Sequence, residues 1–552
     1  MGRLLLVAVL TSLVLVLSSG NQVYDTNYDA LWEASALLAG DRPYRDFYDW
    51  GAPLTGYLST VAQLAVGYRL IGEFGLQWLL IVTGQVVSFH LAYRLSRSLV
   101  ASCATFLLSL LLLVATPTYN YPKLLVYPLA VWLAWRYLDR PNAGRAAMLG
   151  LLTTIAFLLR HDHGVHVAGL TALAFAVTRL VRPSSRSVRA LLVEGVAYGV
   201  TALVSITPWL LLVHLNEGLP EYMRERAALY ENWSVKSSPF GSLLALNSPI
   251  PTDANALKWL HQLTLLVPIL LIGSVAIDFL RSWYEKRPLD AKTWPTLLAA
   301  ALLVVVDDSV LRQSSYFVAV APLTAALAAQ FLTRAPGAAI TTPAPNIGVV
   351  WSRIRAALGG GILLFTIVMS IVFSRILLDA RDVIRSIRPT FVQLLASPPI
   401  DGQLTADAVM RVTPDTWHMW DRRDNDKQSV MLRYLHDCTA PGDRVLTTGS
   451  TPSQVNYLAE RPFAGGHILW HHGWRADKVH EAQSLAQLQR QSVPFAFSTT
   501  DPVLDDFKSY PSIREYLVQH YMELEGSGGM LLIDTRRTPT GSFAALGFPC
   551  FR

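Results

Sequence analysis

The sequence predicts a polytopic α-helical membrane protein of about eleven transmembrane helices, followed by a C-terminal extracytoplasmic α/β domain. Three observations carry this. The 552 residues are 52% hydrophobic and only 16% charged, where an ordinary soluble domain is ~25% charged. The apolar residues come in long blocks, several reaching the ~20 residues that carry a helix across ~30 Å of hydrocarbon, and a helix satisfies its own backbone hydrogen bonds there. After residue 377 the long blocks stop, and short apolar strands alternate with amphipathic helices.

The apolar blocks read as spans over residues 3–19, 76–95, 98–115, 122–138, 145–159, 165–181, 190–214, 261–280, 294–306, 315–333 and 357–377. With Arg3 inside, alternate connections collect Arg94 and Arg97, Arg136 to Arg145, Arg179 to Arg189, Arg281 to Lys292, and Arg334 to Arg355. The opposite loops, 20–75, 116–121, 160–164, 215–260 and 307–315, are acidic or mixed. Charge bias and alternation therefore agree, and they put residues 378–552 outside. The chain divides into a transmembrane module, 1–377, with its first external loop at 20–75, and an extracytoplasmic domain, 378–552. The apolar run from Leu4 to Leu17 fits a retained signal anchor better than a cleaved signal peptide, because the loop after it has to be held at the membrane.

The net charge of +6 sits in short loops and forms no basic face, which excludes nucleic acid as a partner. Strands are expected at 444–448, 494–498 and 530–534, and helices at 474–490 and 511–523. Residues 335–345 read as a linker, and no solenoid repeat is visible. Cys103 lies in an apolar block. Cys438 and Cys550 lie in the polar tail, where they could form a disulfide in an oxidising compartment or remain buried thiols.

The first external loop is rich in carboxylates and aromatic residues. On a helix beginning near Asp25, residues Asp25, Asp29 and Glu33 share one face, while Leu31, Ala34, Leu37 and Leu38 share another, an amphipathic pattern suited to the membrane surface. The plain reading makes Asp25 an N-cap, Gly40 a C-cap and the acids solvated. The order Asp25, a helix ending at Gly40, Pro43-Tyr44-Arg45-Asp46-Phe47, then a helix opening Pro53-Leu54-Thr55-Gly56-Tyr57, resembles the first periplasmic loop of the GT-C superfamily. That group includes protein O-mannosyltransferases and lipid A aminoarabinose transferases. Similar features follow at Arg160-His161-Asp162-His163-Gly164, at Arg312, Tyr316 and Pro322, and at 441–446.

The resemblance implies a GT-C type membrane glycosyltransferase that takes a sugar from a polyprenyl-phosphate donor to an envelope glycan, lipid or protein acceptor. It assigns the catalytic carboxylate to Asp25. Many members carry Asp-Glu here and this chain carries Asp25-Thr26, so Asp29 is a second carboxylate by helical spacing alone. Asp25 with Asp29 could hold Mg2+ or Mn2+, as some relatives do.

Such a transfer needs a base for the acceptor hydroxyl, positive charge for the departing phosphate, and a lipid-facing groove. Asp25 is the base, and direct attack inverts the anomeric carbon. Arg160, His161, His163 and Arg312 are the donor-phosphate candidates, with Lys123 and Arg45 behind them; snorkelling at the interface is the competing explanation. Asp25 and Arg160 are expected to face one cavity. Tyr28, Tyr44, Asp49 and Tyr316 are the sugar or acceptor candidates. Trp32, Tyr48, Trp50 and Tyr57 could stack on sugars or form an aromatic belt. In the tail, Tyr457, Arg461, Trp470 and Trp474 are candidate glycan contacts. Neither His161 and His163 nor His467, His471 and His472 match a metal signature. No glycine-rich nucleotide loop is present, which disfavours a nucleotide-sugar donor. Asn232-Trp233-Ser234 fits a glycosylation acceptor. A flippase or transporter of lipid-linked sugars, a glycan polymerase or ligase, and a sensor are the other readings. Acids clustered at external span ends, instead of mid-span, favour surface chemistry over translocation.

Overall fold

Apolar runs of the first half form helices, and the polar C-terminal region closes around a small sheet. A computed structural model describes residues 2–17, 25–49, 51–67, 70–115, 120–181, 187–233, 425–449, 452–470 and 473–552. They fall into two compact units. The first holds residues 2–17, 77–115, 120–181 and 187–207; the second holds 25–49, 51–67, 70–76, 208–233 and the described residues from 425 on.

The expectation of about eleven spans is corrected. Among the described residues, two helices are long and apolar enough to cross a membrane: Ile71–Arg94 and Val188–Asn216. Among the described residues, length explains most of the difference. Helices α1 (Gly2–Leu17), α5 (Leu99–Ala115), α6 (Lys123–Asp139) and α7 (Ala143–Leu159) have 16 or 17 residues, and at ~1.5 Å per residue such a helix falls short of ~30 Å. Helix α8 (His161–Val181) is longer but opens on His161, Asp162 and His163 and carries His166 and Arg179. The expected spans at 261–280, 294–306, 315–333 and 357–377 lie outside the described residues.

In the first unit, α6, α7 and α8 pack together, with α4 (Leu70–Ser96) and α9 (Val188–Asn216) alongside. Glycine sets the closest approaches. A Cβ on Gly84 would stand 2.1 Å from the Leu124 carbonyl oxygen, and one on Gly150 would stand 2.4 Å from that of Tyr198. Asn142 caps α7 by accepting the Arg145 amide at 2.9 Å. The Arg145 guanidinium then donates to the Arg136 and Arg140 carbonyls, satisfying the end of α6.

In the second unit, strands β1 (Val445–Thr448), β2 (Phe495–Ser498), β3 (Tyr521–Glu523) and β4 (Leu531–Asp534) form a sheet of order β1-β2-β4-β3. β1 and β2 are parallel, the other pairs antiparallel. The three expected strands are present, and the period of two explains the layers. Val445, Phe495, Phe497, Leu531 and Ile533 face one core with Leu435 of α11 (Asn425–Asp437) and Val455 of α12 (Pro452–Leu458). Leu446, Ala496 and Leu532 face the other, with Leu488 of α13 (Lys478–Arg490) and Ile513 of α15 (Pro511–His520). A short helix, α14 (Val503–Asp506), and a hairpin of β5 (Gly541–Phe543) and β6 (Phe548–Cys550) complete this region. The expected helix at 474–490 begins only at Lys478, because Asp477 caps it. Residues 521–523 leave the expected helix at 511–523 to pair with β4. Cys438 and Cys550 form a disulfide.

The first loop belongs to this second unit. Helix α2 (Asp25–Leu38) places Tyr28 and Leu31 in the first of those cores. It ends in a Schellman turn: Gly40, at φ +88°, and Asp41 donate to the Leu37 and Ala36 carbonyls. Asp41 then takes both Arg444 guanidinium nitrogens at 2.7 and 2.8 Å. Helices α3 (Pro53–Val66) and α10 (Leu219–Trp233) complete the unit.

Candidate functional site

The loop's acids and aromatics are distributed between scaffold and cleft. Asp25 is the first residue of α2, as the sequence predicts, and its side chain lies outside the described residues. Asp29 is half-buried and accepts the Ser453 hydroxyl at 3.2 Å. Tyr28 is fully buried, edge-on to Tyr457 at 5.9 Å between centroids. Trp32 is buried against Phe47 and Phe463. These two rings are core.

Tyr44 and Asp49 are consumed by one another. The Tyr44 hydroxyl donates to Asp49 at 2.5 Å and accepts the Trp209 indole N–H at 2.7 Å. Asp49 also accepts the Gly51 amide at 2.6 Å and pairs with Arg226 at 2.5 Å. Burial and the Asp49 carboxylate push the Tyr44 phenol well above its ordinary pKa. Tyr44 itself stands at φ +66°, a left-handed conformation that a bulky residue adopts only under constraint. The Tyr44 backbone N–H donates to the Phe47 carbonyl at 2.7 Å and holds the turn in this conformation.

Beside this knot lies a cavity of about 320 Å3, within the size range of small-molecule sites. The loop lines it with Tyr44, Arg45, Phe47 and Tyr48; Asn216, Glu217 and Glu221 come from the end of α9 and the start of α10; Gly465, Gly466, His467, Arg475, His480 and the Gln487 side of α13 close it. At its floor Arg475 reaches Glu217 at 3.3 Å and Glu225 at 2.9 Å. His480 sits between Glu225 and Asp477, one ring nitrogen on each. Burial works against a charged His480, but the hydrogen bonds to the two carboxylates prevail and hold its pKa above the ordinary value. Burial and neighbouring Glu225 push the Glu217 carboxyl up to about 8, against the pull of Arg475. Glu217 is thus a carboxyl able to hold or release a proton near neutrality. Two guanidinium groups, of Arg226 and Arg475, lie 4.8 and 4.6 Å from the Tyr48 ring, so cations occupy the aromatic surface offered above to sugars.

Several polar atoms in the lining have no hydrogen-bond partner among the described residues: both ring nitrogens of His467, Glu217 Oε2 and Gln487 Oε1. His467 is 2% exposed, and its ring lies 3.7 Å from that of Trp470. Leaving such a group unsatisfied costs about 1–3 kcal/mol. Burial, with Arg475 and His480 nearby, keeps its imidazole far below its ordinary pKa and neutral. Glu217, Glu225 and His480 bring donor atoms within 4.8 Å of one another, a spacing that could hold a metal ion. Arg475 already bridges both carboxyls and His480 is hydrogen-bonded to Glu225, so a metal would have to displace those contacts and the protons that the raised pKa values of Glu217 and His480 favour.

The Arg160 cluster lies in the first unit. Arg160 pairs with Asp162 at 3.2 Å and is 32% exposed. Asn120 Nδ2 donates to His163 Nε2 at 2.9 Å, which leaves His163 Nδ1 to donate to the Tyr127 hydroxyl at 2.8 Å; that hydroxyl donates to His166 Nδ1 at 3.0 Å. Burial pushes His163 down to about 3. His163 is therefore a neutral member of a polar chain and offers a phosphate no charge. His161 stacks on Phe157 at 4.1 Å between centroids and is tied to the Phe157 carbonyl at 2.9 Å. Of the four donor-phosphate candidates, Arg160 carries a half-buried cation paired with Asp162, and Arg312 lies outside the described residues. So do Tyr316, Trp50, His471 and His472. In the tail, Arg461 clamps the Thr439 and His436 carbonyls at 2.9 Å, a structural role.

Glu217, Glu225, Arg475 and His480 were not among the residues singled out from the sequence. One signal was there: Glu217, Glu221 and Glu225 recur every four residues directly after a long apolar run, the same spacing that marks Asp25, Asp29 and Glu33. Nothing in the sequence pointed to Arg475 or His480, about 250 residues away. No protein-family model matches the chain, and no curated protein matches its sequence.

Proposed function

We propose that the protein is a membrane-associated glycosyltransferase that moves a sugar from a polyprenyl-phosphate donor to an envelope acceptor on the extracytoplasmic side. The observation that carries this reading is the cleft of about 320 Å3 built by the acidic and aromatic first loop together with the C-terminal domain, lined by carboxyls, guanidiniums and unpartnered polar atoms. Asp25, at the start of α2, takes the acceptor's proton. The freed oxygen attacks the anomeric carbon, the bond from that carbon to the phosphate oxygen breaks, and polyprenyl phosphate leaves with its electron pair, inverting the centre. The Cys438 and Cys550 disulfide supports an oxidising, extracytoplasmic setting for the C-terminal domain in the plasma or inner membrane.

The test incubates purified protein with a panel of polyprenyl-phosphate sugars and crude envelope acceptors. Asp25→Asn is expected to lower transfer by about 100-fold or more, the lower range for loss of a general base. Undiminished transfer in the variant removes Asp25 from the mechanism. No transfer by the unaltered protein with any donor removes the transferase reading.

A further inference from the structure

The cleft atoms that have no partner among the described residues say what kind of ligand completes it. A neutral imidazole offers one donor and one acceptor, a Glu217 carboxyl that holds a proton near neutrality can donate or accept through Oε2, and Gln487 Oε1 accepts, so these atoms present a mixture of donors and acceptors. A phosphate near neutrality offers mainly acceptors and would leave Gln487 Oε1 and the acceptor nitrogen of His467 unmatched. A sugar hydroxyl both donates and accepts, and several on one ring fit this mixture. The cations agree. Of the guanidiniums in the lining, Arg475 is held by Glu217 and Glu225, Arg45 pairs with Asp46 at 2.5 Å, and the exposed Arg490 donates its Nε to the Ala486 carbonyl, so the buried lining atoms that await a partner are not cations. Gly466 keeps the approach to Gln487 open, since a Cβ there would stand 2.7 Å from Gln487 Oε1.

We propose that this cleft binds a neutral, hydroxyl-rich sugar unit of the acceptor and does not bind the anionic head of the donor. The sugar donates hydroxyls to Glu217 and Gln487 and exchanges a donor and an acceptor with His467. The inference rests on the transferase reading for the word acceptor, but the binding itself is measured without any transfer.

Full-length protein in detergent is titrated with methyl glycosides of common hexoses and pentoses, with the corresponding sugar 1-phosphates, and with inorganic phosphate, followed by saturation-transfer NMR and calorimetry. At least one neutral glycoside is expected to bind. His467→Phe keeps the ring packed against Trp470 and removes both nitrogens; it is expected to weaken that binding about 10-fold or more while leaving the unfolding temperature equal or higher. Gln487→Leu, on the half-exposed face of α13, gives the same readout should His467→Phe fail to fold. The proposal is overturned if no neutral glycoside binds, if the variant that folds binds as tightly as the unaltered protein, or if inorganic phosphate competes for the site. Glycoside binding without sugar transfer sinks the transferase reading alone, and transfer without glycoside binding sinks this proposal alone.

Discussion

Glu217 shares Arg475 with Glu225, and two carboxylates on one guanidinium in a buried place cannot both stay charged without cost. The consequence is a pH dependence with a definite sign. The Glu217 carboxyl stands at about 8 in the folded protein against an ordinary value of 4.5. Between these values the folded state binds the extra proton, so stability falls as pH rises from about 4.5 to about 8. His480 works in the same direction: its folded pKa is raised, so its contribution is present below the ordinary histidine range and is lost as pH rises through the folded value. Unfolding temperatures measured from pH 5 to pH 9 are expected to decline, and Glu217→Gln is expected to flatten the decline. An unchanged slope in that variant would show that Glu217 ionises normally.

Helices in this protein meet where glycine lets backbones touch, and their ends are closed by named caps. Gly84 of α4 lies under the Leu124 carbonyl of α6, and the clash of an added Cβ at 2.1 Å is with backbone, which cannot rotate away. Gly84→Ala is expected to destabilise the first unit by about 2–3 kcal/mol, the upper part of the range for overpacking, read as a lowered unfolding temperature. The disulfide acts at the same scale. It joins residues 112 apart, tying the segment just after α11 to β6, and closing a loop of that length in the unfolded chain is worth roughly 5 kcal/mol in the chain-entropy account. Cys550→Ser, or a reducing agent, is expected to lower the melting temperature, and an unmoved transition would show that the link contributes nothing in solution.

Among the described residues, α9 carries the longest series of exposed apolar side chains. Val196, Val200, Leu203 and Val204 are 62, 54, 60 and 65% exposed, more contiguous apolar surface than a helix in water leaves uncovered. This supports lipid contact along the 29-residue helix Val188–Asn216. The protein is expected to stay with membranes through alkaline carbonate washing. Leu203→Arg, near the middle of α9, should weaken insertion by about 3 kcal/mol and shift protein toward the soluble fraction. Release of the unaltered protein by carbonate would exclude an integral association.

Helices and strands were legible wherever they depend on local order: the period of two in β1, β2 and β4, the start of α2 at Asp25 and its stop at Gly40, and the apolar length of α9 all follow from residues a few positions apart. Composition alone overcounted the spans, because α5, α6 and α7 are apolar enough for lipid but a turn too short, and length is set by where neighbouring polar residues end each helix. Tyr44 and Asp49 carried the right chemistry to touch sugar, and packing instead turned them toward each other and toward Trp209 and Arg226. Which charges meet is a matter of long-range contact. Asp41 finds Arg444, and Glu225 finds Arg475 and His480, only after the sheet and its helices have brought distant segments together, and no local rule encodes that partnership.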